Sequence, residues 1–100
     1  MLFLVRGRYA GVFVNCVECP IPEGTPGGAL PGMIAFRGRR LWRWNAGAGE
    51  TQQIALEGCE TDRLAPEGVV VMHVSDLACV HPMTDAAADK MAAYPPWTCA

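Results

Sequence analysis

Cys16 and Cys19 stand three apart in the stretch Asn15-Cys16-Val17-Glu18-Cys19-Pro20. Two thiols at that spacing suit a zinc knuckle, where a tight turn converges both sulfurs, or a redox pair at a helix N-terminus. The prolines that follow forbid a helix after Cys19, which argues against the redox pair. A tetrahedral zinc site needs two more ligands. Cys79 and His81 are the best pair, two apart on one side of an extended segment; Cys59, His73 and Cys99 are further candidates. Strand alternation argues against zinc. A strand running through Glu18 puts Val12, Val14 and Cys16 on one face and Phe13, Val17 and Cys19 on the other. The sulfurs then point apart and serve as buried, reduced thiols. The expectation is no metal and no cofactor. The alternative, should the chain turn at Asn15, is a structural zinc site of Cys16, Cys19, Cys79 and His81.

The run His73–Asp85 (HVSDLACVHPMTD) gathers two histidines with Ser75, Asp76, Cys79 and Asp85. These types could form a Cys/His nucleophilic pair. No nucleophile elbow, glycine-rich oxyanion turn or HExxH surrounds them. Such residues at a strand end commonly satisfy local backbone groups. The reading leans towards a non-enzymatic protein.

The most unusual stretch is Phe36–Asn45 (FRGRRLWRWN). Four of the eight basic residues fall between Arg37 and Arg43. Gly38-Arg39 suits a two-residue type II′ turn, so strands Met33–Arg37 and Arg40–Trp44 are expected to form a hairpin. That register sets Arg37 opposite Arg40, and puts Met33, Ala35, Trp42 and Trp44 on one face. Tryptophan and arginine dominate binding hot spots. Arg37, Arg39, Arg40, Trp42, Arg43 and Trp44 are therefore the candidate partner-binding residues. The expected function is an interaction domain that takes a protein partner, or an acidic segment of one, on this hairpin. Single-stranded nucleic acid is the alternative, since bases stack on rings and arginine meets phosphate. The bland reading is a core hairpin whose arginines form a solvated edge. Arg6 and Arg8 extend the patch if the first hairpin lies beside it, or else are the solvent face of their strand.

The elements that must position these residues are mostly strands. Leu2–Arg8 and Val12–Glu18 read as a hairpin across Ala10-Gly11, or as one bent strand. Residues 19–32 hold four prolines and four glycines and form a long loop. Asn45–Glu50 is a second glycine-rich link. Thr51–Glu57 alternates weakly, as a strand, and Gly58–Pro66 reads as irregular. Gly68–Val74 (GVVVMHV) is the clearest buried strand. Residues 84–94 form a C-terminal helix, capped by Thr84, with Ala87, Met91 and Tyr94 on one face. Pro95-Pro96 ends it, and a short tail follows over 95–100. The fold class is mainly β (α+β). It is a small antiparallel barrel or strongly curved sheet of five to six strands with one C-terminal helix.

One hundred residues suffice for a single domain with one core, 1–100. The chain is 51% apolar and 18% charged, with mean hydropathy +0.16, which excludes a disordered polyelectrolyte. Net charge is −2, which disfavours a general nucleic-acid binder. No segment approaches the length needed to span a bilayer, and MLFLVRGRY lacks the basic start of a signal peptide. A cytoplasmic protein with no membrane partner is expected. An incompletely closed barrel leaves two strand edges, and an apolar surface favours pairing them, so a homodimer is expected. Small compact domains of this kind also occur as accessory proteins of phages and mobile elements.

Overall fold

The computed structural model describes residues 1–45 and 50–98. Five strands form one antiparallel sheet: β1 (Phe3–Gly7), β2 (Val12–Glu18), β3 (Met33–Arg43), β4 (Arg63–His73) and β5 (Leu77–Pro82). Their order across the sheet is β4-β3-β2-β1-β5. The first four strands are a meander, and β5 returns beside β1. Two helices, α1 (Thr51–Glu57) and α2 (Asp85–Ala92), complete the chain.

The sheet cannot be flat. β4 and β5 are its opposite edges, which lie about 19 Å apart in a flat sheet of five strands. Yet they are joined by a single 3-10 turn, Val74–Asp76, which spans only about 6 Å. The sheet therefore curls until its two edges meet at that end, while β4 and β5 share no ladder. The inner face carries Val5, Phe13, Cys16, Phe36 and Met72, with Phe3, Ile34, Val70 and Leu77 around them. The outer face carries Leu4, Val12, Val14, Leu41 and Leu64, covered by Ile54 and Ala55 of α1 and by Ala87 and Met91 of α2. The outcome is the strongly curved sheet rather than the closed barrel.

A bulge in β2 decides which side chains reach which face. Val14 pairs with Arg39 but Val17 with Arg37, so β2 holds one extra residue against β3. Against β1 the same surplus separates Phe13↔Val5 from Cys16↔Phe3. Asn15 absorbs it in the left-handed region, at φ 54°, which asparagine tolerates better than most residues. Val12 and Val14 stay on the outer face, while Cys16 moves to the inner face with Phe13. Simple alternation had grouped Cys16 with Val14, and the bulge overturns that.

The expected hairpin at Gly38-Arg39 is not formed. β3 runs unbroken through both residues, and Gly38 pairs with Gly68 of β4. The glycine serves close approach instead of a turn. A Cβ on Gly38 would lie 2.6 Å from Cys16 Sγ and 3.3 Å from the Val14 carbonyl oxygen. The bulge pushes the thiol onto a backbone that must have no side chain.

Three other expectations change. Thr51–Glu57 is helix α1 rather than a strand: Thr51, Ile54 and Ala55 are buried at helical spacing, and the helix stops at Gly58, φ 74°. The span read as irregular, Gly58–Pro66, ends inside β4, which accommodates Pro66 because it is an edge strand. The expected buried strand Gly68–Val74 falls mainly in that edge and is buried on one face only: Met72 is buried and Val70 half-buried, while Val69 is 39% exposed. Strand β5 was hidden within the polar run His73–Asp85. The C-terminal helix forms as expected. Thr84 Oγ1 accepts from the Ala87 N–H and donates to the Leu56 carbonyl at 2.7 Å, tying α2 to α1. Most of the link Asn45–Glu50, and Cys99 in the tail, lie outside the described residues.

Gly38→Ala is expected to cost about 1–3 kcal/mol, as overpacking does. Combined with Cys16→Ala it should cost clearly less than the sum of the two single changes, read by urea denaturation. Strict additivity would mean that Cys16 does not sit on Gly38.

Candidate functional site

The continuous β3 sorts the arginine cluster by burial. Arg39 is 9% exposed. Its Nε donates to the Ala65 carbonyl at 2.8 Å, Nη1 to the Met91 carbonyl at 2.8 Å, and Nη2 to the Leu64 carbonyl at 3.4 Å. Met91 lies in the last turn of α2, where carbonyls lack helical partners and the dipole favours a cation. Burial lowers the proton affinity of Arg39, yet a guanidinium remains charged. Arg39 clamps α2 to β4 and is not presented to a partner.

Arg43 forms a forked ion pair with Asp62, Nη2 to Oδ2 at 2.5 Å and Nε to Oδ1 at 3.3 Å. That hydrogen bond holds the Asp62 carboxyl below its ordinary range. Arg37 stands 3.8 Å from Glu67 with both side chains solvated. Trp44 packs partly buried against the outer-face core. These residues hold the domain together or decorate it.

Arg40 and Trp42 differ. They lie two apart on β3, on the Phe36 side. The Arg40 guanidinium carbon stacks 3.6 Å from the centroid of the Trp42 ring, and Trp42 is 48% exposed. Gly11 leaves room for the guanidinium; a Cβ there would fall 3.1 Å from Arg40 Nη2. Trp42 meets Trp97 edge-on at 6.2 Å, and Arg63 lies 5.4 Å over the Trp97 ring. The result is a ladder of Arg40, Trp42, Trp97 and Arg63. Trp97 is docked there by its backbone N–H donating to the Leu64 carbonyl at 2.9 Å. Among the described residues, neither Arg40 nor Arg63 has a carboxylate within ion-pairing distance. Two cations thus lie over rings without an ion-pair partner among the described residues, although the Asp62 carboxylate, next in sequence to Arg63, feels its charge.

Half of this ladder was not visible beforehand. Arg63 and Trp97 are 34 positions apart and belong to no local pattern. The only signal was Pro95-Pro96, which turns the tail back after α2. Arg6 and Arg8 do not extend the ladder; both are exposed and line a depression with Tyr9, Trp44 and Thr51.

The proposed zinc ligands are not brought together. Cys16 is on the inner face, whereas Cys79 and His81 share the outer parity with Leu4 and Arg6, their partners on β1 being Arg6 and Leu4. Among the described residues no group of three or more His, Cys, Asp or Glu side chains could hold a metal. Burial pushes the Cys16 thiol up to about 12 and the Cys59 thiol to about 11.

The polar residues of 73–85 are largely engaged with backbone. His73 Nδ1 accepts from the Ser75 N–H at 3.1 Å and lies 2.8 Å from Ser75 Oγ. Asp76 accepts from the Tyr9 and Ala10 N–H groups, pinning the β1–β2 turn. No described helix is long and apolar enough to cross a membrane. No family model matches the chain, and neither does any curated protein or solved structure.

Arg39→Ala is expected to destabilise the domain by about 3 kcal/mol, since it strands buried carbonyls, while Arg40→Ala leaves the urea midpoint nearly unchanged. Equal effects would contradict this division of roles. In native protein near pH 8, iodoacetamide should modify Cys19 and Cys79 well before Cys16 and Cys59, because only the thiolate reacts. Early modification of Cys16, read by peptide mass, would contradict its burial.

Proposed function

We propose that this chain is a small non-enzymatic interaction domain that takes an acidic segment of a protein partner on the Arg40–Trp42–Trp97–Arg63 ladder. One observation carries the reading: Arg40 and Arg63 lie over tryptophan rings, at 3.6 and 5.4 Å, and neither forms an ion pair among the described residues. Contact with a ring restricts each guanidinium beforehand, so less side-chain freedom is lost when a carboxylate arrives. The rings add area that is cheap to order. Arg37, Arg43 and Lys90 already face acids within the chain; Arg6 and Arg8 are exposed without an ion pair too, but among the described residues it is the ladder that combines unpaired guanidinium groups with rings.

Single-stranded nucleic acid is the second reading, favoured by the two rings at 6.2 Å. The net charge of −2 weighs against it.

The reading is tested by titrating the domain at low salt with a polyglutamate peptide and, separately, with a single-stranded oligonucleotide. The peptide should shift tryptophan fluorescence, with affinity falling as salt rises. Arg40→Ala and Arg63→Ala should each weaken it roughly tenfold, about 1.4 kcal/mol, with unchanged folding. A host pull-down should lose the same partners with Trp42→Ala. No response to the peptide, or a response that these variants leave intact, would overturn the proposal. A response to the oligonucleotide alone would move the site to nucleic acid.

A further inference from the structure

Strand β4 has the composition of one setting and the position of another. Val69, Val70 and Val71 suit a strand buried on both faces. Yet β4 pairs only with β3 and forms the sheet edge. Natural edges are blunted by lysine, proline or a covering element. From Glu67 to His73 there is no lysine or proline. Among the described residues the tail meets β4 at Leu64, through the Trp97 backbone N–H, and at Arg63, which lies over the Trp97 ring, both before Glu67.

The segment Glu67-Gly68-Val69-Val70-Val71-Met72-His73 is self-complementary about Val70. In an antiparallel pair of two copies with Val70 on the two-fold axis, Glu67 faces His73, Gly68 faces Met72 and Val69 faces Val71. Alternation puts Glu67, Val69, Val71 and His73 on one side, away from Val70 and Met72 of the inner core. Four valines then meet in the middle of that side, with a carboxylate opposite an imidazole at each end. A perpendicular two-fold keeps residues on their own faces, so the neighbouring registers differ by two residues. Those registers set Glu67 against Val71 or Val69 against His73, and lose the carboxylate–imidazole contact; Glu67, 3.8 Å from Arg37 of its own chain, would be shared between the two. Gly68 meeting Met72 leaves room for the long side chain on the inner side.

We infer that the chain forms an isologous homodimer by joining its β4 edges in the register centred on Val70, making the two five-stranded sheets continuous. The ladder's Arg63 precedes this segment, and the inference stands on observations independent of the ladder.

Sedimentation velocity at micromolar concentration tests it, together with amide hydrogen exchange. The expected species has twice the 10.7 kDa chain mass, and exchange at residues 67–73 slows as concentration rises. Val69→Lys should yield a monomer with unchanged far-UV circular dichroism. Glu67→Lys should weaken the dimer at least tenfold, and adding His73→Glu should restore it. A wild-type chain that stays at 10.7 kDa up to about 100 µM would overturn the inference. So would concentration-independent exchange at 67–73, or a Val69→Lys chain that remains dimeric. The exchange measurement uses wild-type protein, so it decides even if a variant fails to fold.

Discussion

The way β2, near the middle of the sheet, divides its side chains between the two cores depends on one backbone conformation, that of Asn15 at φ 54°. Side chains alternate along a strand, so one inserted residue exchanges the faces for everything that follows. Before Asn15, Val12 and Val14 feed the core beneath the helices. After it, Cys16 enters the inner core. Asn15 also reaches across to α2, its Nδ2 donating to the Ala88 carbonyl at 3.1 Å. Its Oδ1 is buried without a partner among the described residues, a cost that the surrounding structure must offset. The bulge thus locks the sheet to the helix that covers it. It also drives Cys16 onto Gly38, and so requires β3 to run straight through the position where a turn would otherwise be favoured.

A straight β3 then explains how four neighbouring arginines come to do different work. Alternation sends Arg39 to the helix side and Arg40 to the other. Arg39 satisfies carbonyls on α2 and β4, which only a multi-donor side chain can do at once. Arg40 emerges where the inner core ends, and Trp42 two residues on gives it a ring to lie on. Had the chain turned at Gly38, Arg37 and Arg40 would oppose each other and the ring-stacked geometry would not arise. The ladder depends on β3 running unbroken past Gly38, and it lies where β3 and β4 shift register between Arg39 and Arg43.

The sequence was most legible where local chemistry and tertiary setting agree. β2 is legible at its observed bounds because Val12–Glu18 is rich in strand formers and Pro20 follows closely. Residues 84–94 were read because Thr84 caps a run of helix formers. It was least legible where a residue has two uses. Gly38 fits a turn and a close approach equally well, and only the position of Cys16 decides between them. Thr51–Glu57 is too short for its period to be distinctive; tertiary burial of Ile54 and Ala55 selects the helix. β5 was concealed by the polar residues around it, and the valines of β4 suggested burial that the single chain does not provide. Of the candidate binding residues, Arg40 and Trp42 reach the ladder, Arg39 and Trp44 are turned towards the core, and Arg37 and Arg43 face acids within the chain. No local signal linked Arg63 to Trp97, because the tail folds back across the sheet to join them.

The most direct test of this account is a through-space proton map of β3 by nuclear magnetic resonance. An unbroken strand over a bulged β2 predicts cross-strand contacts between Gly38 and Gly68, and between the Gly38 α-protons and the Cys16 β-protons. Cross-strand contacts between Arg37 and Arg40, with none from Gly38 to Cys16, would instead place a hairpin at Gly38-Arg39 and contradict the account.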